Sequence, residues 1–197
     1  ASAPENKDTD FTWKEFQARN NNELVSILGN FVNRVVVLTN KYWSGYVPEI
    51  DITNEYDEQI LSLLKISPTK IANSIKKFRF REALAEMMNL ARIGNKYLAD
   101  CEPWKVIKSD EKRAKTILNI SLQITASLSI VSEPFLPFTS KKLKDILNLT
   151  KLKWADAGKI IINSEHKINA GVHLFAKIED DKIQEMINKL NTDKNEN

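Results

Sequence analysis

Asn30 and Arg34 are the first residues in the chain whose types and spacing could do chemistry, because they stand one helical turn apart. They lie in "NNELVSILGNFVNRVVVLTNKYW", whose apolar residues recur every three or four positions and predict one long helix over residues 21–43. Opposite the apolar face, a helical wheel places one stripe of Glu23, Ser26, Asn30, Arg34, Val37 and Lys41. Periodicity by itself predicts that this stripe faces solvent. Asn and Arg side chains also make paired hydrogen bonds to base edges, so the stripe is suited to reading a nucleic acid as well.

A tryptophan in a polar break between two helices is the second candidate. Pro103 interrupts the helical pattern in "CEPWK" and leaves Trp104 in a loop or at the mouth of a helix. A tryptophan taken alone more often packs in a core, and we expect packing roles for Trp13, Trp43 and Trp154. At Trp104 the neighbours Pro103 and Lys105 favour an accessible ring instead.

Catalytic and metal-binding patterns are missing from the sequence. His166 and His173 are the only histidines, and no cysteine or carboxylate stands at a metal-ligand spacing from them. Cys101 has no histidine near it in sequence and is expected to pack as a small apolar residue. Glu82 and Glu86, one turn apart among arginines, fit helix salt bridges better than acid–base catalysis. With no phosphate-binding loop or nucleophile motif either, we expect no catalytic residue and no metal site in this chain.

Basic and aromatic residues alternate in "KKFRFR", residues 76–81. Such a pattern can serve phosphate contact and base stacking. Because the stretch falls at a junction of two predicted helices, we expect Phe78 and Phe80 to belong to the core. The lysines would then contribute only a general attraction to anions.

Composition bounds the class of protein. The chain has 197 residues with a net charge of +3, and its 5 glycines and 6 prolines are too few for a sheet protein with many tight turns, which favours helices. A single cysteine excludes an intramolecular disulfide and fits a reducing compartment. We find no apolar run expected to span a membrane and no secretory signal. The chain starts without methionine, and we expect it to be a piece of a longer polypeptide.

The elements that must position these residues form an all-α helical bundle with a short extended strap and a final helix. Residues 1–20 are expected to be a connector, and Asn20, Asn21 and Asn22 are candidate caps for the first helix. Ser67 and Pro68 are expected to begin a separate helix after a shorter one. "SDEKRAKTILNISLQITASLSIVSE" is apolar on most sides and belongs at the centre, capped by Ser109 or Asp110. We predict a bundle over 21–150, a strap and helix over 151–190, and a polar tail over 191–197.

Three stretches, taken in order, resemble one family. They are "NELVSILGNFVNRVVVLTNKYWSGYVP", "FRFREALAEMMNLARIGNKYLADCEPWKVIK", and "PFLPFTSKKLKDIL" followed by "LFAKIED". Together they are similar to the C-terminal anticodon-binding domain of bacterial methionyl-tRNA synthetase, a class I aminoacyl-tRNA synthetase, over about residues 11–180. N-x-x-x-R and the "NKY…EPWK" passage are its most specific elements. Near Gly171, His173 and Ala176 the family usually carries prolines, so the strap is where this sequence departs from it.

The resemblance implies a role for each candidate residue. Asn30 and Arg34 would hydrogen-bond the CAU anticodon of methionine tRNA, chiefly its first base, and Trp104 would stack on that base. Pro103 would fix the backbone before Trp104. Lys105 and Lys41 are expected in supporting roles.

The resemblance also implies what surrounds this chain. The class I signatures His-Ile-Gly-His and Lys-Met-Ser-Lys-Ser are absent, so ATP, and zinc where the family carries it, would belong to a catalytic domain elsewhere in the polypeptide. Expected partners are tRNA and that catalytic domain, in the cytoplasm, with oligomers only if a further C-terminal dimerising domain follows. Two alternatives stay open: the corresponding domain of another class I synthetase, and a helical protein-interaction module that does not bind nucleic acid.

Overall fold

The computed structural model describes residues 10–171 and 173–195, the last five of them by their backbone alone, and it is a bundle of helices. Within these ranges the backbone forms no β-strand, so the all-α prediction is confirmed. The helices are α1 (Trp13–Arg19), α2 (Asn30–Trp43), α3 (Glu55–Lys76), α4 (Phe80–Cys101), α5 (Pro103–Val106), α6 (Glu111–Val131), α7 (Pro137–Ile146) and α8 (Asp180–Asn195).

The first helix begins earlier than the sequence indicates. Thr12 caps α1 by accepting a hydrogen bond from the Glu15 backbone N–H, so the prediction that Asn20, Asn21 or Asn22 is the cap is wrong. A π-helical segment, Asn20–Gly29, continues α1 directly into α2. The asparagines hold the C-terminal strap instead, because the Asn21 amide exchanges two hydrogen bonds with the Ile178 backbone and Asn20 Nδ2 donates to the Ala176 carbonyl.

The π-helical segment also changes the predicted stripe. A π-helix has hydrogen bonds between residues five apart, whereas an α-helix has them between residues four apart. A helical wheel drawn at 100° per residue therefore does not apply before Asn30. Glu23 pairs with Arg19 and, at 3.7 Å, with Arg92 of α4. The stripe therefore begins at Asn30 and keeps only Arg34, Val37 and Lys41 from the predicted set.

Residues 55–76 form one helix, and the prediction of two helices separated at Ser67 is wrong. Pro68 lies inside α3, where it removes one backbone donor. Both Ser67 and Pro68 are buried, and the helix keeps its other buried contacts on either side through Leu64 and Ile71. An interior proline costs about 3 kcal/mol. Burial of a continuous apolar face offsets that cost here.

α6 is the centre of the bundle, as predicted. It packs against α2, α3, α4, α5 and α7, and all of its residues from Thr116 to Val131 are buried. Asp110 caps it by accepting from the Arg113 N–H. By length and composition α6 could cross a membrane, contrary to our expectation that no such run exists, but 94% of its apolar stretch is covered by the rest of the described chain.

Residues after Leu149 follow the bundle surface as the predicted strap. A 3-10 turn at Trp154–Asp156 and one antiparallel bridge, between Tyr46 and Lys167, are its regular features in the described ranges. The strap is fixed at Ile162, whose carbonyl accepts from the buried Gln123 amide. The backbone of α8 continues to Asn195, so much of the predicted polar tail is helical.

Candidate functional site

Arg34 and Trp104 are in direct contact, although 70 positions separate them in the sequence. The guanidinium carbon of Arg34 lies 4.7 Å from the centroid of the indole ring, which is a cation–π geometry. Both side chains are partly exposed. Arg34 forms no ion pair within the described part of the chain, so its donors are not committed to a carboxylate there. The structure thus joins α2 to α5 through a cation and an aromatic ring at the surface.

Asn30 is exposed at the start of α2, one turn before Arg34 on the same face. Its Nδ2 donates to Oδ1 of Asn95 at 3.5 Å, and Asn95 in turn donates to the Ile27 carbonyl at 2.7 Å. Asn95 of α4 is therefore held against the backbone before α2, with its amide oxygen at the edge of hydrogen-bond distance from Asn30. Asn30 and Arg34 thus lie one turn apart on α2, and of these two residues Arg34 is the one that contacts Trp104.

The backbone around Trp104 is sharply defined by its neighbours. Glu102 ends α4 in the left-handed region, with φ 42°, and Pro103 is buried at the first position of α5. Only a few per cent of non-glycine residues adopt positive φ. The Glu102 carbonyl accepts from the N–H groups of Lys105 and Val106, which closes the turn. This turn aims the indole out of the bundle and toward α2.

The two predicted supporting lysines are both exposed. Lys105 Nζ pairs with Glu102 at 2.7 Å, next to Trp104. Lys41 lies about two turns, roughly 10 Å, beyond Arg34 along α2, and its ammonium sits 5.1 Å from the Tyr42 ring centroid. Lys105 is therefore at the site itself, whereas Lys41 extends the same face of α2.

A buried ionic cluster joins α3, α4 and α6 near the ends of α4 and α6 that flank α5. Asp57 of α3 is fully buried, and it accepts hydrogen bonds from both terminal nitrogens of Arg113 in α6 and from the Tyr97 hydroxyl of α4 at 2.6 Å. Burial alone disfavours the charged form of Asp57, but these bonds and one from the Asn54 backbone outweigh it and hold the pKa of the carboxyl below its usual range. Burial, followed by the bond to Asp57, raises the pKa of Tyr97.

His166 and Cys101 make ordinary contacts within the bundle. His166 Nε2 is 2.7 Å from the Leu147 carbonyl, and no group of three or more His, Cys, Asp or Glu side chains in the described ranges could hold a metal ion. Burial raises the pKa of the Cys101 thiol, which lowers its reactivity. Trp43 and Trp154 pack against the core, as expected.

The prediction for residues 76–81 is wrong. Phe78 is 77% exposed and Phe80 is 46% exposed, with their rings in edge contact, so neither belongs to the core. Phe78 has φ 58° because the chain turns there from α3 into α4. The result is an exposed basic and aromatic corner, residues 76–81, at the opposite end of α4 from Trp104.

Two grooves flank these features. One of about 390 Å³ lies beside the site and is lined in part by Asn30, Asn33 and His173. The other, of about 500 Å³, is mostly apolar and lies beside the N-terminal half of α4. Its apolar lining residues are Phe11, Phe16, Leu84, Met88, Phe135 and Leu136.

Comparison with known proteins supplies the family. Residues 47–195 match the family model described as the anticodon binding domain of methionyl tRNA ligase. The chain belongs to that family. Residues 1–36 match a second model, described as class I tRNA synthetases (M). Asn30 and Arg34 lie within this second match, and Trp104 lies within the anticodon-binding match.

Curated relatives agree over the whole chain. A methionine–tRNA ligase of Christiangramia forsetii is 56% identical across 100% of this chain, and one of Flavobacterium psychrophilum is 55% identical across 100%. The chain spans only 30% and 29% of those two proteins. A crystal structure of free Mycobacterium tuberculosis methionyl-tRNA synthetase has the same fold, with a TM-score of 0.85 and 18% identity over 90% of this chain and 37% of that one.

Sequence reasoning missed the residues that support the site. Asn95 and Tyr97 stand inside the "NKY…EPWK" passage, yet the pattern gives neither a role. Asp57 and Arg113 are 56 positions apart, and nothing local connects them. The pattern Asn54-x-x-Asp57, which forms a capping box at α3, was the one available signal.

Proposed function

We propose that this chain reads the CAU anticodon of methionine tRNA through Asn30, Arg34 and Trp104. The observation that carries the proposal is the Arg34–Trp104 contact, which places a donor fork against an aromatic platform in a protein of the anticodon-binding family. Bases of a single-stranded loop can leave the stack, lie on an aromatic ring and be read on their Watson–Crick edges. The three side chains supply those two functions at one surface.

Each side chain contributes a different interaction. The indole of Trp104 offers its face to an unstacked base, which is worth roughly 1–3 kcal/mol. Arg34 donates to acceptor atoms on the base edge, and Asn30 adds both a donor and an acceptor. Lys105 and Lys41 are placed to attract the flanking phosphates.

Activation of methionine is, on this proposal, the work of the part of the enzyme that this chain does not span. A related Mycobacterium tuberculosis structure, with 19% identity and a TM-score of 0.78, is bound by methionyl-adenylate. ATP, and zinc where the enzyme has it, would lie in that catalytic part, and the location would be cytoplasmic. Binding of an anticodon stem-loop by this chain is therefore expected to need neither ATP nor methionine.

The test is a titration of the chain with anticodon stem-loops that carry CAU or GAU, at fixed low salt and without ATP. We expect preference for CAU, and a loss of roughly tenfold to a hundredfold in CAU affinity in Trp104→Ala and in Arg34→Ala. Arg79→Ala removes the same charge at the other end of α4 and is the matched control, with unchanged affinity expected.

Equal and weak binding of the two stem-loops would contradict the proposal. So would an Arg79→Ala variant as weak as Arg34→Ala, because general charge would then account for binding. Trp104→Phe keeps an aromatic face and should lose less affinity than Trp104→Ala, which separates stacking from simple loss of side-chain volume.

A further inference from the structure

The buried carboxylate of Asp57 lies at the base of the segment that carries Trp104. That segment, residues 102–110, leaves the bundle at the end of α4 and returns at the start of α6. Tyr97 lies in the last turns of α4 and Arg113 in the first turn of α6, and both bind the same carboxylate. One residue of α3 therefore joins the two ends of the Trp104 segment.

The acceptor capacity of this carboxylate is completely used. Oδ1 accepts from the Tyr97 hydroxyl at 2.6 Å and from Arg113 Nη2 at 2.9 Å. Oδ2 accepts from Arg113 Nη1 and from the Asn54 backbone N–H at 3.0 Å. A carboxylate has about four lone-pair sites, so no further partner is needed. The Asn54 side chain accepts in turn from the Asp57 N–H, which fixes Asp57 at the start of α3.

Contacts beyond the carboxylate make the segment a single unit. Arg113 Nη2 also lies 3.8 Å from Sγ of Cys101, the last residue of α4. Within the segment, Asp110 N donates to the Val106 carbonyl at 2.8 Å, and the Asp110 side chain caps α6. A displacement at either anchor would therefore move α5 as a whole and carry the indole with it.

We propose that Asp57 is a positioning residue for anticodon recognition, which sets the place of Trp104 against Arg34 by clamping the ends of α4 and α6. The inference rests on the proposed function. Asp57 itself is fully buried and touches no RNA. It acts by holding the platform before binding, so that binding does not have to order it.

The experiment is a double-mutant cycle on the full chain with the CAU stem-loop. Asp57→Asn, Tyr97→Phe and Arg113→Lys are each made alone and combined with Trp104→Ala. Affinity is measured where circular dichroism shows each variant folded. We expect Asp57→Asn and Tyr97→Phe to weaken CAU binding about threefold to tenfold with Trp104 present, and less than about twofold in Trp104→Ala, since residues that act through one another are not additive.

A matched control separates positioning from stability. Leu143→Ala removes a fully buried side chain from α7, and it should lower stability without changing CAU affinity in the folded protein. If Asp57→Asn does not fold, Tyr97→Phe decides, because it deletes a single oxygen.

Three outcomes would overturn either the positioning role of Asp57 or the proposed anticodon recognition. Equal losses with and without Trp104, or wild-type affinity in both Asp57→Asn and Tyr97→Phe, overturn the positioning role and leave the proposed function standing. Unchanged affinity in Trp104→Ala overturns the proposed function itself.

Discussion

The charge on Asp57 is maintained by its neighbours in spite of complete burial. Removing one partner of a buried ion pair costs about 3–5 kcal/mol, whereas an exposed pair contributes about 0–1 kcal/mol. Lys144 and Glu133 form such an exposed pair, with Glu133 59% exposed. Two acidic residues of the same chain should therefore respond very differently to neutralisation.

The pH dependence of stability follows from the direction of the Asp57 shift. The folded-state pKa of this carboxyl is below the unfolded value of about 3.9, so its stabilisation is present above that pH and is lost as the pH falls through the folded pKa. We expect Asp57→Asn to lower the free energy of unfolding by about 3 kcal/mol near neutral pH, and the difference from wild type to shrink below about pH 4. Denaturant unfolding at several pH values measures this difference.

Glu133→Gln is the matched control for this measurement. It removes a carboxylate of an exposed pair, and it should change the free energy of unfolding by less than about 1 kcal/mol at every pH. A pH-independent effect of Asp57→Asn would show that Asp57 is not ionised in the folded protein.

At the scale of elements, local signals predicted most helices and failed where tertiary contacts decide. The Asp110 cap and the pattern of α6, which is apolar on most sides, are readable because their signals are local. Pro68 predicts a helix start because proline is common at the first helical position, and packing across the bundle keeps α3 continuous instead. The π-helical register before Asn30 had no sequence signal that we could use.

At the candidate site, too, local sequence signals are predictive and tertiary contacts are not. The types and spacing of Asn30 and Arg34 allow base recognition, and the family resemblance assigns a role to them and to Trp104. The contact between Arg34 and Trp104 cannot follow from spacing because it joins α2 to α5. The sequence predicts core positions for Phe78 and Phe80, since aromatic residues at helix junctions usually pack there. The left-handed backbone at Phe78, which turns both rings outward, depends on how α3 and α4 meet.

The close approach of α2 and α4 depends on Gly94. A Cβ atom at this position would lie 2.4 Å from Cζ of Phe31, in a fully buried contact next to Asn30. In an exposed helix, alanine is more favourable than glycine by about 1 kcal/mol. We expect Gly94→Ala to lower the free energy of unfolding by roughly 1–3 kcal/mol instead of raising it, because Phe31 must move. Thermal or denaturant unfolding provides the measurement.

Ala85→Gly on the exposed face of the same helix gives the comparison. It should cost about 1 kcal/mol through helix propensity alone. A Gly94→Ala variant more stable than wild type would mean that α2 and α4 are not held at this distance, and the Asn30–Asn95 bond would lose its structural basis.

At the scale of the whole molecule, the two ends of α4 carry different surfaces. Trp104 follows its C-terminal end, and the basic and aromatic corner precedes its N-terminal end, about 33 Å away at 1.5 Å per residue over 22 residues. The apolar groove is lined by Leu84 and Met88 of the N-terminal half of α4. The chain carries a net charge of only +3, so no large positive field covers both ends.

Salt dependence distinguishes a local reading site from a broad electrostatic one. If RNA contacts only the Trp104 end, Lys105 and Lys41 are the two lysines of the proposed site that meet phosphates, because Arg34 donates to the base edge. Neutralising two phosphates of a single strand gives a slope of log affinity against log salt of about −1.4. We therefore expect a shallow slope for the CAU stem-loop, unchanged in a Lys76→Ala, Lys77→Ala variant. A slope steeper than about −4 that becomes shallower in this variant would place the corner against RNA. That result would extend the interface along the full length of α4, with anticodon selection still confined to the Trp104 end.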